Sequence, residues 1–281
     1  MIIDFHTHIF PREIRNQREK FFKGEPAFEL LYGNPRSKMV GAGELVDKLK
    51  KCGVDKAVVF GFPWESASIA RMHNDYVLEA SKRYPDFLIP FACSGLSTAE
   101  GINELKRCAS LDFRGIGELA FYTDDDSSRQ LRAIEPVVEI CKKQSLLLLV
   151  HSNEPVGHVY PGKAKAGLRF YYELAKICKG MPVILAHWGG GLFFYNTLKK
   201  EAPEVLKDVY YDTAASPFLY KNSIYSLAIQ VAGADRILFG SDFPLISPER
   251  YFREIESAGI TRENVEKIKG ENARRLLGNS V

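Results

Sequence analysis

Eight short runs of apolar, β-rich residues recur along the chain with helix-patterned segments between them, and this alternation restricts the fold more than any other feature. The runs are Ile2–Phe5, Lys56–Phe62, Phe87–Ala92, Gly115–Phe121, Leu146–Val150, Val183–Ala186, Val209–Asp212 and Ile237–Phe239. Val58-Val59-Phe60, Leu146 to Val150 and Val183-Ile184-Leu185 are apolar on successive residues, as strands covered on both faces are. Strands of that kind alternating with helices imply a parallel sheet. An open doubly wound sheet usually carries Gly-x-Gly-x-x-Gly after its first strand, whereas here the first run leads into His6-Thr7-His8. The count of eight, with no break in composition, points to a single α/β domain over residues 1–281, a (β/α)8 TIM barrel.

The connecting segments carry helical spacing. Ile69, Met72, Tyr76 and Ala80 fall on one helical face, and so do Leu131, Ile134, Val138 and Cys141. Pro136 is expected to start a new helix within the second of these regions. Ser97 with Glu100 reads as a capping box opening a third helix, with Ile102, Leu105 and Ala109 facing inward. The connection after the first strand, about residues 9–41, is too long for an ordinary loop. Its Phe21, Phe22, Phe28, Leu30, Leu31 and Tyr32 predict a packed insertion, either an extra helix over the barrel wall or a lid on the substrate side.

Bulk properties exclude several classes of function. The 38 basic and 35 acidic residues are mixed along the chain, without the basic block that would track a nucleic acid. The five cysteines have no C-x-x-C spacing and an odd total, which fits a reducing interior and small buried side chains. The opening Met-Ile-Ile-Asp-Phe-His lacks the pattern of a signal peptide, and the run Leu146 to Val150 is far too short to span a membrane. The expectation is a cytoplasmic protein with neither a nucleic-acid nor a membrane partner.

The chemistry is concentrated at strand ends. Of six histidines, His6, His8, His151 and His187 lie at the C-terminal ends of expected strands, and Asp242 follows another. In a barrel those ends open onto one mouth, so residues more than two hundred positions apart meet there. His6 and His8 are two apart and project from the same strand face, where imidazole nitrogens suit zinc and related divalent ions. Asp242 in Ser-Asp-Phe-Pro reads either as a turn residue or as a carboxylate needing a cation or proton beside it. It could also take a proton from metal-bound water. Glu118 closes Gly-Ile-Gly-Glu on the fourth strand, where an unpaired acid would be costly.

His6-Thr-His8, Gly-Ile-Gly-Glu118, Leu-Val-His151-Ser, Leu-Ala-His187-Trp-Gly-Gly and Phe-Gly-Ser-Asp242-Phe-Pro together resemble the amidohydrolase superfamily. More narrowly, they are similar to its amidohydrolase-2 (amidohydrolase-related) branch. Lys-Gly-Glu-Asn-Ala-Arg-Arg-Leu-Leu-Gly at 269–278 resembles the closing helix of that branch, so the likeness covers nearly the full chain. It implies that His6, His8, His151 and Asp242 hold a catalytic metal, and that His187 is the acid/base or a ligand of a second ion. It also implies that Glu118 is either a bridge between two ions or a hydrogen-bonding support. One or two divalent ions are expected, zinc first and manganese as the alternative.

The resulting functional expectation is hydrolysis of a small amide, cyclic ester or related carbonyl compound by metal-activated water, with Asp242 and His187 moving protons. The alternative is non-oxidative decarboxylation, or hydration, of an unsaturated or aromatic acid. The branch leaves room for a homo-oligomer. A non-catalytic protein with a structural metal fits less well, because closed structural zinc sites use four Cys/His ligands and no acidic base. Trp64 and Trp188 follow strands and read either as pocket walls or as barrel plugs. His158 lies in the Gly-, Pro- and Lys-rich segment 154–167 after the fifth strand, near Tyr160 and Arg169. They read either as an anion-binding edge of the mouth or as a solvated loop. His73, mid-helix, reads as structural or solvated.

Overall fold

The computed structural model describes residues 1–122 and 126–278. Eight strands form there: β1 (Ile3–His8), β2 (Lys56–Phe60), β3 (Leu88–Ala92), β4 (Gly115–Leu119), β5 (Leu147–Val150), β6 (Val183–Leu185), β7 (Val209–Asp212) and β8 (Ile237–Leu238). Each pairs in parallel with the next in sequence order. The sheet closes where the Phe5 N–H donates to Phe239 O (2.8 Å), the His8 N–H donates to Phe243 O (2.8 Å), and Thr7 forms a parallel bridge with Phe243. Buried Asp4 reinforces this seam by accepting the Ser241 N–H (2.9 Å) and hydroxyl (2.5 Å). The chain is a (β/α)8 barrel.

Alternation along the strands divides the core. Ile3, Phe5, Val58, Phe60, Ile89, Phe91, Leu147, Leu149, Ile184 and Leu238 fill the barrel interior, joined from below by Ala273 and Leu277 of the last helix, Asn272–Leu277. Their strand neighbours, among them Ala57, Val59, Leu88, Ile116, Leu148 and Val150, face the surrounding helices.

Two strands break this alternation, and both carry site residues. On β1, Asp4 pairs with Ala57 but Thr7 pairs with Val59, so one extra residue lies between them. On β4, Ile116 pairs with Leu148 but Leu119 pairs with Val150, again with one residue too many. Such bulges re-aim side chains. Strict alternation would put Glu118 on the same outer face as Ile116, whereas the bulge turns it into the barrel mouth.

The helices depart from the sequence-based expectations in three places. Pro136 lies inside one helix, Ser127–Gln144, and does not start a new one. Arg132, whose carbonyl loses its N–H partner there, is exposed, so water can satisfy it. The cap of helix Ala99–Ala109 is Thr98, whose hydroxyl accepts the Gly101 N–H (3.3 Å), while Ser97 donates to Glu65. On helix Ala67–Arg83 the most buried stripe runs through Ala70, His73, Asn74 and Val77. Ile69 and Met72 border it, packed against the insertion.

That insertion folds as two short helices, Arg12–Asn16 and Pro26–Tyr32, and a 3-10 turn, Arg18–Phe21. Phe10, Ile14, Ala27 and Phe28 form an apolar cluster with Phe62, Trp64 and Ala70, flanked by Phe21, Tyr32 and Tyr122. No helix among the described residues is long and apolar enough to cross a membrane.

Candidate metal centre

Six side chains from five strand ends converge at the mouth. His6 and His8 close β1, Glu118 lies on β4, His151 follows β5, His187 lies just beyond β6, and Asp242 follows β8. Asp242 is joined to β1 directly, its N–H donating to His6 O (2.9 Å). The turn after β6 is left-handed from His187 to Gly191, with φ between 53° and 89°. Gly190 could carry no side chain there, because a Cβ would stand 2.2 Å from Asn153 O.

The donor atoms face one another in two groups that share Glu118. In the first, Glu118 Oε2 lies 3.6 Å from His6 Nε2 and 3.8 Å from His8 Nε2, and Asp242 Oδ1 lies 3.7 Å and 3.4 Å from the same two nitrogens. In the second, Glu118 Oε1 lies 3.0 Å from His151 Nδ1 and 3.4 Å from His187 Nε2, which are 3.2 Å apart.

Behind each imidazole a fixed acceptor holds the other ring nitrogen. His6 Nδ1 meets Asp212 Oδ2 (2.8 Å), His8 Nδ1 meets Gly61 O (3.2 Å), His151 Nε2 meets Gly162 O (2.8 Å) and His187 Nδ1 meets Ala214 O (3.0 Å). A ring that donates outward presents its remaining lone pair inward, which is the arrangement of metal-ligating histidines.

Electrostatics agree with the geometry. Burial raises the carboxyl pKa of Glu118, but His6 and His151 outweigh it and hold the group well below the usual range. For Asp242 burial is likewise outweighed, chiefly by the hydrogen bond from His8, and its pKa falls to about 2. Burial disfavours the charged form of His6, yet Glu118 and Asp212 raise its pKa well above the ordinary value. His187 is raised in the same sense, Glu118 overcoming burial.

A cation fits these residues. His6 Nε2 is buried with no hydrogen-bond partner, although two carboxylates lie near it. A tetrahedral shell with metal–nitrogen bonds of about 2.0–2.1 Å has edges of about 3.4 Å, close to the spacings in both groups. His6, His8 and Glu118 form one set of mutually close ligand atoms, His6, His187 and Asp242 another, and Glu118, His151 and His187 a third.

The other residues singled out from the sequence lie as follows. Trp64 is fully buried in the insertion cluster and gives its indole N–H to His73 Nδ1 (2.9 Å). Trp188 is fully buried too, donating to Ser216 Oγ (3.0 Å) and packing edge-on to Tyr225 in the outer core. In the segment after β5, Glu154 accepts from Tyr160 (2.9 Å) and Lys163 (2.8 Å), while His158 and Arg169 are exposed. His73 is buried between Trp64 and Ile9 O.

Sequence reasoning passed over Asp212 and Tyr122. Asp212 closes β7 as Glu118 nearly closes β4, so an acid at the end of a buried strand was the signal available. The Tyr122 ring lies 4.9 Å from that of His151 and nearly parallel (10°) to Phe62 at 6.2 Å.

The barrel carries at its mouth a histidine–carboxylate cluster able to hold a divalent ion. The sequence matches the amidohydrolase family model (Amidohydro_2) over residues 3–278, and the chain belongs to that family. No match was found among curated proteins. Among solved structures, 5-carboxyvanillate decarboxylase from Sphingomonas paucimobilis superposes with a TM-score of 0.76 at 14% identity, covering 98% of each chain. A 2,6-dihydroxybenzoate decarboxylase complexed with 2,6-dihydroxybenzoate gives 0.72 at 19%, again covering 98% of each chain. The dihydroxybenzoic acid decarboxylase of Polaromonas sp. JS666, with bound manganese and 2-nitroresorcinol, gives 0.72 at 19%, covering 98% of this chain and 96% of that one.

Proposed function

We propose that the protein is a divalent-metal-dependent enzyme that removes carbon dioxide, without oxidation, from a small aromatic or unsaturated acid. The observation that carries this reading is the aromatic wall beside the cluster. Tyr122 leans on the His151 ring and runs parallel to Phe62, which in turn touches Tyr32. The charges of Asp242 and Glu118 add to burial in raising the pKa of Tyr32, so the insertion contributes to this wall. Flat apolar surfaces beside charged groups suit a planar acid. The solved relatives named for hydroxylated benzoates add support from outside the chain.

His6, His8, His151, Asp242 and Glu118 would hold the ion, zinc or manganese. The ion would supply positive charge to fix the substrate's oxygens. His187 would act as the acid. Its Nδ1 proton is committed to Ala214 O, so Nε2, which faces the cluster, is the atom that exchanges a proton. That proton goes to the carbon bearing the carboxylate. The carbon–carbon bond then breaks, its electron pair stays with the substrate, and carbon dioxide leaves. Glu118, His151 and His187 are buried, which limits the water that could compete for this proton.

Hydrolysis is the second reading, favoured by one feature. Each oxygen of Glu118 faces a different histidine pair, as a carboxylate bridging two ions would. The deciding experiment supplies manganese or zinc and offers the protein hydroxybenzoates alongside lactones and amides. Metal-dependent release of carbon dioxide with the matching phenol is the expected result. Hydrolysis of lactone or amide with no carbon dioxide from any acid would overturn the proposal in favour of the second reading.

A further inference from the structure

Asp212 has no direct view of the cluster's centre, yet it touches both residues on which the chemistry turns. Alternation along β7 sends Val209 and Tyr211 to the outer core, so Asp212 faces inward and is fully buried. Its Oδ2 meets His6 Nδ1 at 2.8 Å, and its Oδ1 accepts the backbone N–H groups of His187 and Ala214, both at 2.9 Å. Ala214 O in turn receives the ring proton of His187 (3.0 Å). One carboxylate therefore fixes the ring of a β1 ligand and the backbone of the β6 histidine.

We infer that Asp212 is the positioning residue of the centre: it sets the tautomer of His6, so that Nε2 offers a lone pair to a cation, and holds His187 at a fixed distance from that ligand. This rests on reading the cluster as a cation site, and it holds whether the reaction is decarboxylation or hydrolysis. The chemistry is directional. A carboxylate only accepts, so His6 must donate from Nδ1. In Asp212→Asn the amide oxygen is kept by the two backbone N–H groups, which turns the amide NH2 toward His6 Nδ1. That NH2 donates, so the ring proton moves to Nε2 and blocks the atom that faces the metal. The same logic underlies the tautomer loss caused by amide replacement of the triad aspartate in serine proteases.

The test compares wild type and Asp212→Asn in zinc affinity by calorimetry, in the thermal midpoint of the metal-free form, and in the ring 15N shifts of His6. The expected result is a zinc affinity lower by roughly 10–100-fold, as for loss of an outer-shell partner, with the metal-free midpoint little changed. Wild-type zinc protein should show His6 bound through Nε2 and protonated at Nδ1. Unchanged affinity in a folded Asp212→Asn, or wild-type His6 protonated at Nε2, would overturn the assignment. Wild type that binds no zinc or manganese at all would instead remove the cation site on which it rests. Should Asp212→Asn fail to fold, the wild-type 15N measurement decides alone.

Discussion

Trp64 gives its indole N–H to His73 Nδ1 at 2.9 Å, and His73 passes its own Nε2 proton to Ile9 O at 2.6 Å. The imidazole thereby links helix Ala67–Arg83, the loop after β2 and the first residue of the insertion. Burial lowers its pKa from 6.5 to about 4, so the ring is neutral, as a donor–acceptor bridge must be.

His73→Phe should destabilise the fold by about 2–4 kcal/mol, since it leaves a buried indole N–H and a carbonyl unpaired. It should also change the pH dependence. Between pH 6.5 and about 4 the unfolded chain binds a proton at His73 that the folded chain refuses. Stability from this group is therefore complete above pH 6.5 and is lost as pH falls toward 4. The difference in unfolding free energy between wild type and variant, followed by urea titration across that range, should shrink by about 3 kcal/mol. A difference that stays constant with pH would show that His73 is not a neutral bridge.

Glu118 turns one oxygen to each donor group of the cluster. Glu118→Gln removes a full charge from between four imidazoles and should lower zinc or manganese affinity at least tenfold. Metal content per chain by mass spectrometry, on protein purified without chelator, should fall accordingly. Wild-type content retained by the variant would mean that the ion sits on His6, His8 and Asp242 without help from β4.

Gly240 is required by proximity. A Cβ there would stand 2.8 Å from the Cβ of His6 and 3.4 Å from that of Asp212. Gly240→Ala should cost about 1–3 kcal/mol through overpacking and should also weaken metal binding, because the displaced atom belongs to a ligand. Gly180→Ala is the control. Its φ of +84° predicts strain, but nothing lies within 4 Å, so a loss of about 1–2 kcal/mol should leave metal affinity untouched. Equal affinity in both variants would rule out the steric path to His6.

All eight strands were legible because each is a dense apolar run, and density survives any error of a residue or two at its ends. The convergence of the candidate residues was legible because histidines and acids at the ends of such runs have few reasons to be there. Less visible were effects that depend on partners distant in sequence. β1 continues to His8 because Val59 and Phe60 of β2 and Phe243, beyond β8, receive its end, and no one run shows that alone. The bulge that turns Glu118 inward is a relation between β4 and β5. Asp212 carried the same local signal as Glu118, but its role lies in the hydrogen bond to His6, which pairs residues 206 positions apart. Pro136 misled because its penalty depends on whether the freed carbonyl reaches water.

His187 separates the two chemical readings from the integrity of the site. Its Nδ1 is bound to Ala214 O and its carbonyl accepts the hydroxyl of Tyr220 at 3.1 Å, so the residue is held from both sides while Nε2 stays available. Glu118 overcomes burial to raise its pKa, which favours the protonated ring. As the acid of a decarboxylase it should matter to turnover and little to the ion. His187→Asn is then expected to lower kcat by about 10²–10⁴-fold while metal content per chain stays at the wild-type value. As the ligand of a second ion it should matter to both, and metal content would drop together with activity. Measured side by side on one preparation, turnover and metal content therefore distinguish an acid beside one ion from a ligand between two.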